Sequence, residues 1–539
     1  MKQLEKDLKD YTLRVEQIDT LAAMNEHSDK KFFIGELPPG VGKSVLIMTK
    51  IKEILENDKY ANFDVITYTK ILQEQYFNEF KSISNLWGMD NYVCSTHANV
   101  TCQTGSLLNS ALQKKCDNCP YEIAKDEYVR GKISLTNFYL FSISYLFDTQ
   151  VNKTRKAKYL IIDEAHEFES VYQEFLSVRI TQKYLEYLGI ENVSDIMNGL
   201  RGLNDISDAV NFIRDEYKPA LVLQKMRLED HFKNGGDINV KRIKKLTGKN
   251  KTPKSSALMD LNMTINKINI FLDEYDKDNS NWIFDKNLNG DLVEIHVEPK
   301  WIHNYLKNLW SKYDKVIMMS GTFLGKDITC YVNGIDPDDA FYYSIDSPYP
   351  AKNRPFYIMP VEKMNYNNKQ MAFDKFVPFV NKLLKKYENK KGIIHTVNYE
   401  LSNWTKEQVL NNRLIFPNAK DKAELLQYHY NSSQPTVLVS PSLTTGVDFV
   451  DDRARFQILL KVPYPSLASK KIKFRQQDNP QWYIWKTIQA IIQTYGRAVR
   501  NYDDSADFII LDKSIIDLLT NNSDMFPVWV KSAIKIINV

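Results

Sequence analysis

The chain has 539 residues, 43% hydrophobic and 26% charged, which is material for about two to four domains with separate cores. Its 71 Lys and Arg barely exceed its 67 Asp and Glu, so the net charge of +4 does not by itself indicate a polyanionic partner, and any binding surface must be local. No apolar run approaches membrane-spanning length and the start, Met1 to Asp7, lacks a signal-peptide core; a reducing cytoplasm is therefore expected, where five cysteines are not expected to form disulfides.

In chain order, Tyr11 to Gln17 leads into an apolar-periodic helix through Ile18, Leu21 and Ala22. The Gln17 amide matches the donor and acceptor edges of adenine, and reads equally as a solvated helix start. Phe32 to Glu36 is an apolar strand running into Leu37-Pro38-Pro39-Gly40-Val41-Gly42-Lys43-Ser44, after which Ile47, Ile51, Ile54 and Leu55 recur at helical spacing. Strand, Gly-rich loop and helix in this order make a phosphate cradle: the N–H groups of Gly40, Val41, Gly42 and Lys43 face phosphate oxygens, Lys43 reaches the β- and γ-phosphates and Ser44 ligates Mg²⁺. Leu37 stands where the simple pattern has its first Gly, and Pro39 stiffens the loop. Asp64 to Tyr68 is a second strand, ending in Thr69 and Lys70; there they would hold a nucleic-acid phosphate or cap the next helix.

Four cysteines then crowd together, Cys94, Cys102, Cys116 and Cys119, in a polar segment too short of apolar residues to fold on its own core. Four thiolates suit an iron-sulfur cluster or a structural zinc; one close pair, Cys116 and Cys119, favours the cluster. The fifth, Cys330, reads as a buried small hydrophobe. Tyr159 to Ile162 is a buried strand delivering Asp163 and Glu164, then Ala165 and His166. Adjacent carboxylates divide the work: Asp163 holds the Mg²⁺ shell and Glu164 orients and deprotonates water.

From Phe168 to about Pro299 the α/β rhythm stops. Leu258, Leu261, Ile265, Ile268 and Leu272 form a helix-packing seam, and a hairpin is expected around Asn289-Gly290. The basic stretch through Lys241, Arg242, Lys244, Lys245, Lys249, Lys251 and Lys254 reads as a solvated loop ahead of a phosphate contact. The rhythm resumes with Val316 to Met319 before Ser320-Gly321-Thr322, and continues through strands at 392–395, 437–439, 456–460 and 508–511, which predicts a second parallel sheet. Arg497 and Arg500, three apart after Gln493, form a pair suited to clamp a γ-phosphate held by the other domain, or a surface pair bound to carboxylates.

Gly40-Val41-Gly42-Lys43-Ser44, Asp163-Glu164-Ala165-His166, Ser320-Gly321-Thr322, Gly446-Val447-Asp448 and Gln493 to Arg500 resemble the ordered motifs of superfamily 2 helicases. The four cysteines between the first two, with Ser347-Pro348-Tyr349-Pro350 and Val462-Pro463-Tyr464-Pro465, narrow the resemblance to the XPD/DinG-like iron-sulfur DNA helicases. It implies an α/β fold of two RecA-like parallel-sheet motors, the first interrupted by an iron-sulfur domain and a helical arch. The expected divisions are motor 1 at 1–90, 126–167 and 300–325, the cluster domain at 91–125, the arch at 168–299 and motor 2 at 326–539. The resemblance further implies a 4Fe-4S cluster on the four cysteines, with zinc the alternative, and adenine recognition by Arg14 and Gln17. ATP and Mg²⁺ would be the cofactors, with Asp448, Gln493, Arg497 and Arg500 closing the nucleotide site.

The activity so implied is 5′-to-3′ movement on single-stranded DNA by a monomer that splits tailed duplex at a pore. Thr69, Lys70, Asn137 and Thr396 are the candidate DNA contacts. Thr444-Thr445 stand where an acidic residue often precedes the Gly-x-Asp element, a reduced arch is expected from the chain's length, and no added exonuclease module is expected before Arg14. The other readings are a nucleotide-dependent DNA-binding or remodelling switch without unwinding, distinguished by DNA-stimulated turnover without strand separation, and an RNA helicase.

Overall fold

The structure is a computed structural model that describes residues 1–98, 100–111, 116–147, 149–234, 253–289, 292–418, 421–441, 449, 451–499 and 501–538. Asp448, Arg500, Gly446-Val447, Thr444-Thr445, Gly290 and the basic stretch from Lys241 to Lys251 lie outside the described residues.

Short apolar runs separated by amphipathic helices leave a chain only one economical arrangement, a parallel sheet covered on both faces. The chain builds it twice. The first sheet takes its leading strands from β1 (Phe32–Glu36), β2 (Phe63–Thr67), β3 (Ser84–Asn85), β4 (Ile133–Asn137) and β5 (Tyr159–Asp163). The chain then leaves the sheet for an insertion containing β6 (Val178–Thr181), β7 (Trp282–Asn289) and β8 (Leu292–Pro299), and returns with β9 (Lys315–Ser320) and β10 (Ala340–Ser344). The order is β10-β1-β9-β5-β2-β4-β3, all parallel. Register aligns Glu36 with Ser320, and Asp163 with Met319 and Thr67, so the polar strand ends stand along one rim.

Two expectations are corrected. The first motor does not end at residue 325: helix Lys326–Asn333 crosses back and β10 pairs with β1, closing the sheet's edge. The insertion is not purely helical either, because β6 joins the expected hairpin β7–β8 in an antiparallel sheet of order β6-β8-β7. The predicted seam does pack: Leu258, Leu261, Ile268 and Leu272 are buried in the insertion's own core and Ile265 packs against it. Helix Cys102–Ala111 of the cysteine segment touches the insertion's helices Lys218–Lys233 and Pro253–Lys277. The segment's exit is fixed by Arg155, whose guanidinium meets Asp64 and the carbonyls of Tyr128, Val129, Gly131 and Phe63 in the interior.

The second sheet contains β11 (Phe356–Glu362), β12 (Gly392–His395), β13 (Leu414–Ile415), β14 (Val437–Ser440), β15 (Phe456–Leu459), β16 (Asp507–Asp512) and β17 (Ile534–Ile536). Its order is β13-β14-β12-β15-β16-β11-β17, again parallel throughout. The insertion also grips this second motor. Helix Lys470–Asp478 meets β7 and β8 through Lys470 Nζ on Phe284 O (3.0 Å) and Lys471 on Glu298 (2.5 Å), while Asp478 accepts the Trp301 indole N–H (2.9 Å).

Candidate functional site

Between the two motors lies a cavity of about 580 Å³. Its first-motor wall includes Pro39, Lys43, Thr69, Glu164 and His166; its second-motor wall includes Gln493, Gly496 and Arg497. The P-loop makes two left-handed turns, at Gly40 (φ +84°) and Gly42 (φ +82°), a conformation that glycine adopts without a Cβ penalty. Gly42 caps helix Lys43–Asn57, so that helix's N–H groups and dipole open toward the cavity. Leu37, out of place in the simple motif, is fully buried in the core beneath the loop, and its N–H donates to Ser320 O at 2.8 Å. Pro39 stands between two glycines: a Cβ at Gly321 would lie 3.4 Å from its ring, and one at Gly496 of the second motor 3.3 Å.

Lys43 Nζ pairs with Glu164 Oε1 at 2.9 Å. Glu164 takes a left-handed backbone (φ 58°, ψ 41°), unusual for a residue with a Cβ. Asp163 is 2% exposed; its carboxylate accepts from Tyr76 Oη (2.8 Å) and the Glu164 N–H (3.0 Å). Burial pushes the Asp163 carboxyl up to about 6 even against the field of Lys43. A buried carboxylate in that state is a ready ligand for a cation, and with Ser44 on the first turn of the same cradle the donor set fits Mg²⁺. His166 Nδ1 stands 2.6 Å from Ser320 Oγ and 3.4 Å from Glu164 Oε2, and Thr322 N donates to Ser320 Oγ at 3.1 Å.

The predicted nucleotide residues are largely gathered here. Arg14 Nη1 donates to Gly40 O (2.7 Å) and Gln17 Nε2 to Gly42 O (3.0 Å), so both touch the P-loop backbone. Gln17 is 3% exposed and its Oε1 accepts the Arg14 N–H at 2.9 Å, which engages both ends of the amide expected to face a base. Val41 is buried in the loop. Gln493 and Arg497 face Lys43 across the cavity. Of the candidate DNA contacts, Thr69 caps helix Lys70–Glu79 (Leu72 N, 3.2 Å) and lines the cavity, while Lys70 is exposed with its ammonium on Asn91 (3.0 Å). The other two are corrected. Asn137 is buried, capping the next helix through Leu140 N (3.0 Å) and donating to Gln73 (2.9 Å). Thr396 is wholly buried, so a passing strand does not reach its hydroxyl.

Sequence reasoning missed Tyr76 and Tyr349. Nothing local marks Tyr76 as the partner of Asp163. Tyr349 stood in a quoted signature, and its hydroxyl reaches Gly40 O at 3.3 Å.

The four cysteines come together. Cys94, Cys102 and Cys119 are buried and Cys116 half-buried; the Cys102 and Cys119 sulfurs are 3.8 Å apart, and Cys116 interacts with both Cys94 and Cys119. Burial pushes the Cys102 thiol up to about 11, whereas the Thr96 hydroxyl lowers Cys116. Four converging thiols are a donor set that fits a metal centre, although among the described residues no three His, Cys, Asp or Glu stand in the geometry of a bound ion.

Comparison with known proteins follows the same lines. Residues 10–190 match the family described as type III restriction enzyme, res subunit, and residues 381–533 match the helicase C-terminal domain. The chain is 21% identical over 155 residues to the regulator of telomere elongation helicase 1 homolog of Caenorhabditis elegans, covering 24% of this chain and 15% of that protein. It is 19% identical over 500 residues to the ATP-dependent DNA helicase CHL1 of Vanderwaltozyma polyspora, covering 79% of this chain and 59% of that protein. The chain thus spans less than two thirds of the length of these relatives. A solved structure titled XPD Helicase covers 98% of this chain and 100% of its own at TM-score 0.66 and 13% identity; another, titled XPD APO, does so at 0.64 and 15%. At such identities the likeness is one of fold. Two parallel-sheet motors, the described motifs at Lys43, Glu164, Gly321 and Arg497 around one cleft, and these matches together support a likeness to the XPD/DinG-like superfamily 2 helicases.

Proposed function

We propose that the chain is an ATP-driven helicase that moves 5′ to 3′ along single-stranded DNA and separates duplex. The observation that carries the reading is the Lys43–Glu164 ion pair at 2.9 Å, set in a cleft whose far wall supplies Arg497. A γ-phosphate entering the cradle competes for Lys43 and so releases the Glu164 carboxylate. Glu164 then takes a proton from water as the water oxygen bonds to the γ-phosphorus and the bond to the β,γ-bridging oxygen breaks; ADP and phosphate leave. Arg497 balances charge on the transferring group from the second motor. Ser44 and Asp163 would hold Mg²⁺, which when bound neutralises phosphate charge. The four cysteines would hold a 4Fe-4S cluster, a structural brace for a segment with little core of its own.

DNA contact runs mainly to phosphates, with Thr69 and Lys70 as first-motor contributors, and weakens with salt. Matched duplexes with a 5′ or a 3′ single-stranded tail test the whole reading, with Lys43→Ala as control. Opening of only the 5′-tailed duplex, lost in the control, is expected. DNA-stimulated hydrolysis with neither duplex opened would replace the helicase by a remodelling switch. Iron and sulfide at about four each per chain are expected of the cysteine site; zinc without sulfide would defeat the cluster.

A further inference from the structure

We propose that Trp485 and Gln489 are positioning residues, a pivot through which the state of the hydrolytic site reaches the second motor; the inference rests on the ATP-hydrolysing reading above. Both stand on helix Pro480–Tyr495, where Trp485, Gln489 and Gln493 follow one another at intervals of four, so one helix face carries all three. Trp485 Nε1 donates to Phe323 O at 2.5 Å and Gln489 Nε2 to Thr322 O at 2.9 Å. Each donor belongs to the second motor and each acceptor to the first. Trp485 is 2% exposed and Gln489 4%, so water does not replace these bonds.

The acceptors are consecutive carbonyls of the loop after β9. Its start, Ser320, meets His166 (2.6 Å) and gives its carbonyl to Leu37 N (2.8 Å); its end, Leu324, donates to the buried carboxylate of Glu36 at 2.7 Å. The loop is therefore tied at one end to the residues beside Glu164 and at both ends to the strand that carries the P-loop. A displacement of His166 or of the P-loop passes into Thr322 and Phe323, and from them through two buried donors into the middle of the second-motor helix. The helix end at Tyr495 lies about 9 Å beyond Gln489, at about 1.5 Å per residue. A small tilt at the pivot is thus enlarged where Gly496 and Arg497 face the nucleotide. No helicase motif of the sequence contains Trp485 or Gln489.

Trp485→Phe and Gln489→Met remove the N–H donors while keeping ring or side-chain bulk, singly and together. The readouts are ATP hydrolysis with and without oligo(dT), the thermal midpoint, and energy transfer between fluorophores on introduced non-natural residues at Tyr60 and Leu410, exposed positions of the two motors. The expected result is an ATP KM within about twofold of wild type, a kcat at saturating oligo(dT) lowered about fivefold or more, and loss of the transfer change induced by a non-hydrolysable ATP analogue. Unchanged kcat and an unchanged transfer response in the double variant would overturn the pivot. So would a KM that rises as far as kcat falls together with a lowered midpoint, the mark of a merely structural role. If the wild type hydrolyses no ATP, the function reading fails by itself, and the analogue-induced transfer change still decides the pivot.

Discussion

Arg475 is the residue whose removal tests the junction of the two motors and the insertion. It is 2% exposed, donates to Glu169 at 2.9 Å, to Gln173 at 2.9 Å and to Lys300 O at 2.7 Å, and its guanidinium lies over the Trp301 and Trp482 rings. Arg475→Met leaves the carboxylate of Glu169, itself 3% exposed, buried beside an uncharged side chain. Breaking a buried pair from one side costs about 3–5 kcal/mol, which for a unit of about 200 residues lowers the thermal midpoint by roughly 6–20 °C. Adding Glu169→Leu removes the stranded charge and is expected to restore most of the loss. Burial raises the Glu169 carboxyl, and Arg475, with Lys486 and Lys471, more than reverses this, so its folded value lies below the ordinary one. The stability it contributes is therefore complete above the unfolded value of about 4.3 and is lost as pH falls through the lower folded value. Differential scanning fluorimetry at pH 7 reads the series. A midpoint within 2 °C of wild type for Arg475→Met (about 1 kcal/mol or less), or a double variant less stable than either single one, would refute the reasoning.

Glu164→Gln is expected to keep ATP binding, seen with a fluorescent analogue, while steady-state hydrolysis falls about 10²–10⁴-fold. Gly40→Ala adds a Cβ at φ +84° against the Tyr349 hydroxyl, and an affinity for ATP lowered by about tenfold or more is expected by calorimetry. If the cysteines hold the cluster proposed above, Cys102→Ser, at a thiol buried against Cys119, lowers the iron content and increases proteolysis within 91–125 while DNA-independent ATP hydrolysis persists; metal analysis and limited proteolysis check it.

What was legible in the sequence was what local chemistry writes down. Lys43 follows two glycines, the bare backbone that the proposed phosphate cradle requires, and Asp163 and Glu164 end an apolar strand, side by side as the proposed metal shell and base require. Long-range partners leave no such mark. Tyr76 reaches Asp163 across 87 positions, β10 finds β1 across some three hundred, and β6 meets β8 only after the whole insertion has been traversed. Polar residues at strand ends misled where a helix begins. Asn137 stands before Phe138–Leu146, the ordinary place of an N-cap, and its carboxamide does that work inside the protein. Gln17 likewise closes a capping box on Arg14 and holds Gly42 with its other end.

Pro39 stands between Gly321 and Gly496, and the part of it that a Cβ at Gly496 would meet is a ring carbon. A contact of that kind carries no charge for counterions to screen, whereas strand binding through phosphates weakens steeply as salt is raised. For the DNA binding proposed above, raised ionic strength is thus expected to act selectively: it loosens the hold on the strand and leaves the packing of Pro39 against Gly496 in place.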